Sequence, residues 1–173
     1  WIATDGSGVY VFFFFFLTIQ HFNTARGLNN DRVTSIFADN QHQVWIGMNG
    51  GEANIYNTSG GNIHHLTSSS GLSNKTSFYF GFAQDSQSRI WVSSTGGGGM
   101  DIIDEKNGTF KTASAENGLS SNIINDLFTD SHDRIWMSNG RTSVLDVIDV
   151  KAGTIKHLDS AQGISAWNTG TIF

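Results

Sequence analysis

The chain contains no cysteine and no proline among its 173 residues. Without thiols there is no disulfide framework, no thiolate nucleophile and no cysteine-ligated zinc. Average usage of about 5% would place roughly eight or nine prolines in a chain of this length, so their absence is a compositional oddity. Charge is sparse as well. Only 14% of residues are Asp, Glu, Lys or Arg, too few for a helical bundle laced with surface ion pairs. The balance is acidic, 10 basic against 15 acidic side chains for a net charge of −5, which leaves no basic stripe to track nucleic acid. The longest apolar run, residues 9–17, falls far short of the ~20 residues needed to cross a bilayer. No cationic segment leads into a hydrophobic stretch with a small-residue cleavage site, so no signal peptide is read here.

What the chain has instead is glycine, 20 residues of it, with 13 Phe and 5 Trp. Gly-marked turns between aromatic and β-branched segments read as short strands with tight reversals. The composition is all-β, and the length suits one domain or one piece of a larger one.

The chain repeats itself. Trp1, Trp45, Trp91 and Trp136 are 44, 46 and 45 residues apart. A glycine followed by Leu or Ile recurs at Gly27, Gly71, Gly118 and Gly163, at intervals of 44, 47 and 45. Asp39, Asp85 and Asp130 each precede a tryptophan by six residues. Three independent markers with one period define repeats at about 1–26, 27–70, 71–117 and 118–162, with the next beginning in 163–173. The clearest copy reads as four strands, 123–129, 135–139, 144–149 and 154–158, joined by short turns. Four strands per unit of ~40–50 residues is the signature of a β-propeller blade. The turn Asp accepts backbone N–H groups where the first strand ends. The Trp then supplies a ring large enough to fill the gap between facing blades.

The residues 118–122, Gly-Leu-Ser-Ser-Asn, followed by Asp130-x-x-x-Arg-Ile-Trp136-Met-Ser, resemble the two-component regulator propeller repeat. So do Gly27-Leu-Asn-Asn-Asp and Asp39-x-x-x-Gln-Val-Trp45-Ile-Gly-Met-Asn-Gly-Gly. The resemblance covers essentially the whole chain, and Asp-x5-Trp-Ile-Gly is its most specific part. It implies the periplasmic sensor region of a hybrid two-component system, an inner-membrane protein of the kind found in gut Bacteroides-like bacteria. It also implies an oligosaccharide ligand derived from glycans, a homodimer through the full sensor domain, and a histidine kinase output domain outside this region. Any membrane attachment would lie in other segments, and no cofactor is implied. Family propellers usually have seven blades, so the resemblance further implies that these four repeats form an arc of a larger ring. The pattern departs from the family at Gln41-His42, Gln87-Ser88 and His132-Asp133, where a Gly is usual, and at Asn139-Gly-Arg141-Thr, which replaces a double Gly. Residues 71–85 are two residues longer than the matching stretches, which predicts a longer loop or a bulge near residues 78–80.

No catalytic residue and no metal ligand set emerges. Asp130-Ser-His132-Asp133 has the look of an acid/base cluster, but its counterparts keep only the first Asp and a turn. His21, His65 and His157 share one repeat position on the outermost strand, so they are spread over separate blades and cannot converge on one ion. No Gly-x-Ser-x-Gly elbow, His-Glu-x-x-His or phosphate-cradling Gly-Lys-Ser/Thr motif occurs. Phe13 to Phe16 overlie the polar turn at residues 57–60, where rings on an exposed hairpin tip are an aggregation liability; a partner contact is the lesser reading, and nothing functional is argued from these rings.

The candidate ligand face is where the repeats disagree. Four residues after each repeat Gly stand Asp31, Lys75, Asn122 and Trp167, on the loops that join one blade to the next. The turns at Asn49, Thr95 and Arg141 are expected to emerge on the same side. Trp167 offers stacking area for a sugar ring and Arg141 a planar fork of donors for hydroxyls or a uronate. The non-catalytic sensor is the leading reading. A docking or dimerisation propeller and a propeller lyase of the streptogramin-inactivating type are the alternatives. Two further expectations concern the fold: Trp45, Trp91 and Trp136 should be equivalent and mostly buried, and Ile172 should not pair with Ile2.

Overall fold

The computed structural model describes residues 1–73 and 79–164. The chain divides into two compact units, Trp1–Tyr79 and Phe80–Phe173. The first holds a three-stranded sheet, β1 (Ile2–Thr4), β2 (Gly8–Phe13) and β3 (Thr18–Phe22). It also holds a four-stranded sheet, β4 (Val33–Ala38), β5 (Gln43–Met48), β6 (Glu52–Asn57) and β7 (Ile63–Leu66). The second carries β8 (Tyr79–Gln84), whose first residue falls at the division, then β9 (Ile90–Ser94), β10 (Met100–Asp104) and β11 (Thr109–Ala113). Its other sheet is β12 (Ile124–Thr129), β13 (Arg134–Asn139), β14 (Leu145–Asp149) and β15 (Thr154–Leu158).

Every sheet is a meander in which each strand pairs with its neighbour in sequence, the arrangement of a propeller blade. The four strands expected at 123–158 differ from β12–β15 by at most one residue at any end. The three-stranded sheet aligns with the second to fourth strands of the others, since Phe13↔Thr18 repeats Asp104↔Thr109 and Asp149↔Thr154. Both β4 and β12 carry a register shift against their partners, at Val33/Ser35 and Ile124/Asp126. The extra loop length expected near residues 78–80 and the pairing of Ile172 lie outside the described residues and side chains.

Each unit has its own core. In the first, Val9, Leu28, Val33, Val44, Ile46 and Met48 are buried together, with Phe22, Ile36, Tyr56 and Ile63 packed against them. In the second, Trp91, Met100, Leu119, Ile124, Leu127, Ile135, Met137 and Ile148 form the cluster. Each such side chain contributes about 1.5–3 kcal/mol by leaving water. Strands that bury both faces read as apolar runs rather than alternating ones, as Val44 to Met48 shows.

The residues before each repeat glycine form a short 3-10 turn that the sequence did not advertise: Thr24–Arg26, Ser68–Ser70, Ala115–Asn117 and Ser160–Gln162. Gly27, Gly71, Gly118 and Gly163 close these turns with φ of 99°, 114°, 112° and 88°, the left-handed region that a Cβ disfavours. The Leu that follows, at 28, 72 and 119, then drops into the core.

The tryptophans are equivalent in register but not in burial. Trp45 is fully buried and Trp91 only 3% exposed, as expected, whereas Trp136 is half-buried. The difference has a packing cause. Trp91 lies in a cluster with Ile148 of the following sheet, against which Val150 and Ile155 also pack, while the face that carries Trp136 borders an open cleft.

Candidate functional site

The two ends of each blade do different work. At one end the turn Asp organises a clamp. Asp85 Oδ1 accepts the N–H groups of Gln87 (2.9 Å) and Arg89 (3.0 Å), while Oδ2 accepts from Trp91 Nε1 (2.8 Å) and Arg89 Nε (2.6 Å). Asp130 repeats this with His132, Arg134 and Trp136, at 2.9, 3.0 and 2.9 Å, and takes Arg134 Nε at 2.6 Å. Asp39 accepts from Gln41, Gln43 and Trp45 Nε1 at 2.8, 2.8 and 2.9 Å, with Gln43 standing where the other two have Arg. Both guanidinium groups lie over their Trp rings, at 5.6 Å for Arg89 and 5.5 Å for Arg134. The Arg134 guanidinium beside Asp130 holds that carboxyl well below the usual carboxylate range. His42, Ser88 and Asp133, which share one repeat position, have φ of 62°, 62° and 63°. This turn therefore demands a left-handed residue, and here it is filled by side chains that tolerate one. Asp133 does more, accepting from Ser86 N (2.7 Å) and Oγ (2.6 Å) of the neighbouring blade. The apparent acid/base cluster at 130–133 is thus a turn whose carboxylates are engaged by the fold.

The other end carries the predicted ligand loops, and hydrogen bonds show which of them meet. Gly99 N donates to Asn122 O (2.9 Å) and Gly140 N to Ile123 O (2.8 Å), so the Asn122 loop runs between the turns that hold Thr95 and Arg141. In the first unit Asn30 Nδ2 donates to Asn49 O (3.0 Å), bringing the Asp31 loop beside the Asn49 turn. The side chains of Asp31 and Asn122 are not idle. Asp31 accepts from Thr24 N (2.7 Å) and Oγ1 (3.2 Å), and Asn122 Oδ1 from Ala115 N (2.6 Å), each capping the 3-10 turn of its own loop. Two residues singled out for differing between repeats thus do one structural job. Arg141 is different: it is exposed, has φ of 63° and has no polar partner among the described residues. Ser138 Oγ and Asn139 Oδ1, on the strand end that leads into Arg141, are buried without a hydrogen-bond partner among those residues. Lys75 and Trp167 lie outside the described residues.

A buried polar position went unread in the sequence. Asn54, Asp101 and Asp146 recur inside the third strands, each flanked by apolar residues, and each is buried. The recurrence of an Asx residue within an apolar run was the available signal. Asn54 accepts from Asn29 N (3.0 Å) and donates to His65 Nδ1 (3.0 Å). Asp146 accepts from Ser120 N (2.8 Å), Ser120 Oγ (2.5 Å) and His157 Nδ1 (2.6 Å). The Ser120–Asp146–His157 trio has the composition of a hydrolase triad but not its geometry. Ser120 Oγ and Asp146 Oδ1 both meet Nδ1 of the ring, at 2.8 and 2.6 Å, so no relay through the imidazole exists. The trio ties the entering loop to the blade instead. His21 makes a third use of the shared position, stacking on Tyr10 at 4.2 Å. Among the described residues no cluster of His, Asp and Glu could hold a metal ion.

Comparison with known proteins agrees with this repeat. Residues 27–50 match the two-component regulator propeller family. This segment is a two-component regulator propeller repeat. The match covers the Gly-Leu loop, the first two strands of its blade and the Asp39–Trp45 clamp described above.

Solved structures extend the likeness to the fold of the chain. The extracellular domain assigned to the hybrid two-component system BT3049 of B. thetaiotaomicron superposes with a TM-score of 0.71 at 19% identity, over 88% of this chain and 20% of that one. The corresponding domain of BT4673 gives 0.69 at 19% identity, over 94% and 22%. Virginiamycin B lyase from Staphylococcus aureus gives 0.71 at 14% identity, over 93% and 51%. At these identities the likeness shows the β-propeller fold. The chain spans about a fifth of the length of these extracellular domains. No curated protein sequence matches it. Among the described residues no helix is long and apolar enough to cross a membrane.

Proposed function

We propose that the chain is part of the ligand-sensing propeller of a hybrid two-component regulator, a periplasmic region without catalysis of its own. It binds a glycan-derived oligosaccharide and passes the signal, as a homodimer, to a histidine kinase elsewhere in the protein. The observation that carries this reading is the regulator propeller repeat at residues 27–50, with its clamp intact. The geometry supports the loop end as the ligand face. Carboxylates at the opposite end are engaged in turns, whereas Arg141 stands exposed beside the Asn122 loop. A guanidinium there supplies the planar donors that sugar hydroxyls or a uronate carboxylate take.

Titration calorimetry of the full sensor with oligosaccharides tests the assignment. Arg141→Ala should weaken binding by ~1–3 kcal/mol with thermal stability nearly unchanged. Unchanged affinity would remove Arg141 from the site.

A further inference from the structure

The sequence contains four Asn-Gly pairs: Asn49-Gly50, Asn107-Gly108, Asn117-Gly118 and Asn139-Gly140. Such a pair is chemically labile. The glycine nitrogen can close a succinimide ring on the asparagine Cγ, and the glycine has no Cβ to hinder it. Two conditions decide whether a folded chain permits the reaction. The glycine N–H must be free to lose its proton and attack, and the asparagine amide must be free to turn toward it. Hydrogen bonds to either group withhold them.

Three of the pairs are withheld. Asn139 is fully buried, its Nδ2 donates to Val144 O (3.1 Å), and Gly140 N donates to Ile123 O (2.8 Å). Asn117 is held at both ends of its amide. Its Oδ1 accepts from Ser114 N (2.6 Å) and its Nδ2 donates to Thr112 O (3.0 Å), while Gly118 N donates to Ala115 O (3.4 Å). Asn107 is exposed at a hairpin tip, but its Nδ2 donates to Asp104 Oδ2 (2.7 Å) and Gly108 N to Glu105 O (3.3 Å).

Asn49 is different. Among the described residues neither its side chain nor Gly50 N has a hydrogen-bond partner. Its main chain is fixed all the same: Asn49 N donates to Arg32 O (3.0 Å) and Asn49 O accepts from Asn30 Nδ2 (3.0 Å). Gly50 is exposed with φ of 110°, and a Cβ built on it would meet no atom within 4 Å, so hydroxide and water reach the pair.

We propose that Asn49 is a site of spontaneous deamidation, the most reactive of the four pairs, which alters the charge of the loop end as the protein ages. Gly50 N loses its proton to hydroxide and bonds to Asn49 Cγ. The Cγ–Nδ2 bond breaks and ammonia leaves, completing the succinimide. Water then opens the ring at either carbonyl, giving an aspartyl or an isoaspartyl product. One water is consumed, one ammonia is released, and nothing is oxidised or reduced. Either product adds one carboxylate and takes the net charge from −5 to −6. In the isoaspartyl form that carboxylate includes the former main-chain carbonyl oxygen, the group that accepts from Asn30 and so joins this turn to the Asp31 loop. The reaction is independent of any ligand at the loop end.

Peptide mass spectrometry of the full protein, incubated for days at body temperature and mildly alkaline pH, tests this. The Asn49 peptide should gain about 1 Da several times faster than the peptides of the other three pairs, and faster still as pH rises. In urea the four rates should converge, because only the fold separates them. Asn49→Gln, whose longer side chain closes a larger ring reluctantly, should remove the early acidic form on isoelectric focusing with circular dichroism unchanged. Another pair reacting first, or an Asn49 that stays intact, overturns the proposal. So does a lead for Asn49 that persists undiminished in urea, which would make the local sequence rather than the turn responsible.

Discussion

Trp91 and Trp136 sit in the same strand position, donate to the same kind of Asp and lie under the same kind of Arg, yet one is buried and the other half-buried. Their difference separates two contributions that sequence treats as one. The Asp–Trp–Arg clamp is made within a blade and needs no neighbour. Burial of the ring needs the next sheet, which Ile148, Val150 and Ile155 supply for Trp91. The clamp therefore positions the indole, and the neighbouring blade supplies most of its stabilisation. Under conditions where the chain is monomeric, Trp91→Ala should cost ~3–5 kcal/mol, as large buried aromatics do. Trp136→Ala should cost about 1–2 kcal/mol, one hydrogen bond plus partial burial. Urea denaturation measures both, and equal losses would break the comparison.

The clamp itself can be tested through pH. Asp130 has its pKa lowered from 3.8, chiefly by the hydrogen bond from Arg134 and then by those from Trp136 and the backbone. A carboxylate with a depressed folded pKa adds stability that is present above the unfolded value and lost as pH falls through the folded one. Arg134→Ala removes the main cause. The variant should be less stable than the wild type near neutrality, and the gap should close as pH drops below about 4. Urea midpoints taken from neutral to acidic pH would show this. A gap that stays constant with pH would mean that Arg134 acts through its stacking on Trp136 rather than through the carboxylate.

A second pair sharpens what the left-handed turn position does. His42 and Asp133 have the same backbone, φ of 62° and 63°. Asp133 also holds Ser86 of the adjacent blade by two hydrogen bonds, of 2.7 and 2.6 Å. Replacing His42 by Gly should be neutral or slightly stabilising, since only the backbone preference changes. Asp133→Gly supplies the residue that this backbone favours yet should cost ~1–3 kcal/mol, because the Ser86 groups lose their acceptor. If thermal denaturation shows the two substitutions alike, the Ser86 contact carries no stability.

Much of this architecture was legible because repetition averages out local ambiguity. One blade read from periodicity alone would be uncertain, but three markers at one interval set strand order and, in the clearest copy, strand bounds to within a residue. The 3-10 turns were missed because Ser-, Asn- and Thr-rich stretches before a Gly look like any loop, and only the Gly φ values and caps distinguish them. The candidate site was harder to read. Asp31 and Asn122 differ between repeats, which suggested freedom from the fold, yet both oxygens accept an N–H at the start of a 3-10 turn. Asp and Asn carry the same acceptor at the same reach, so variation between them is what a capping position permits. Asn54, Asp101 and Asp146 were passed over for the opposite reason, since apolar neighbours concealed a constant polar role.

The smallest effect concerns the hairpin tip of the first blade. Leu17 stands where the other blades have Gly61, Gly108 and Gly153, and it shares their left-handed backbone, with φ of 49° against 73°, 63° and 66°. For a residue with a Cβ this conformation costs ~1–2 kcal/mol, and the exposed Leu17 side chain recovers little of it by packing within its own chain. Glycine removes the strain but adds freedom to the unfolded chain, which takes back part of the gain. Leu17→Gly should therefore stabilise the monomer by about 0.5–1 kcal/mol. The mirror experiment is Gly153→Ala, where an added Cβ meets no atom within 4 Å and only the backbone preference is at stake. That substitution should destabilise by a similar amount. Opposite signs of similar size in thermal denaturation would show that the two tips share one backbone requirement. A destabilised Leu17→Gly would mean instead that the leucine side chain is held by packing.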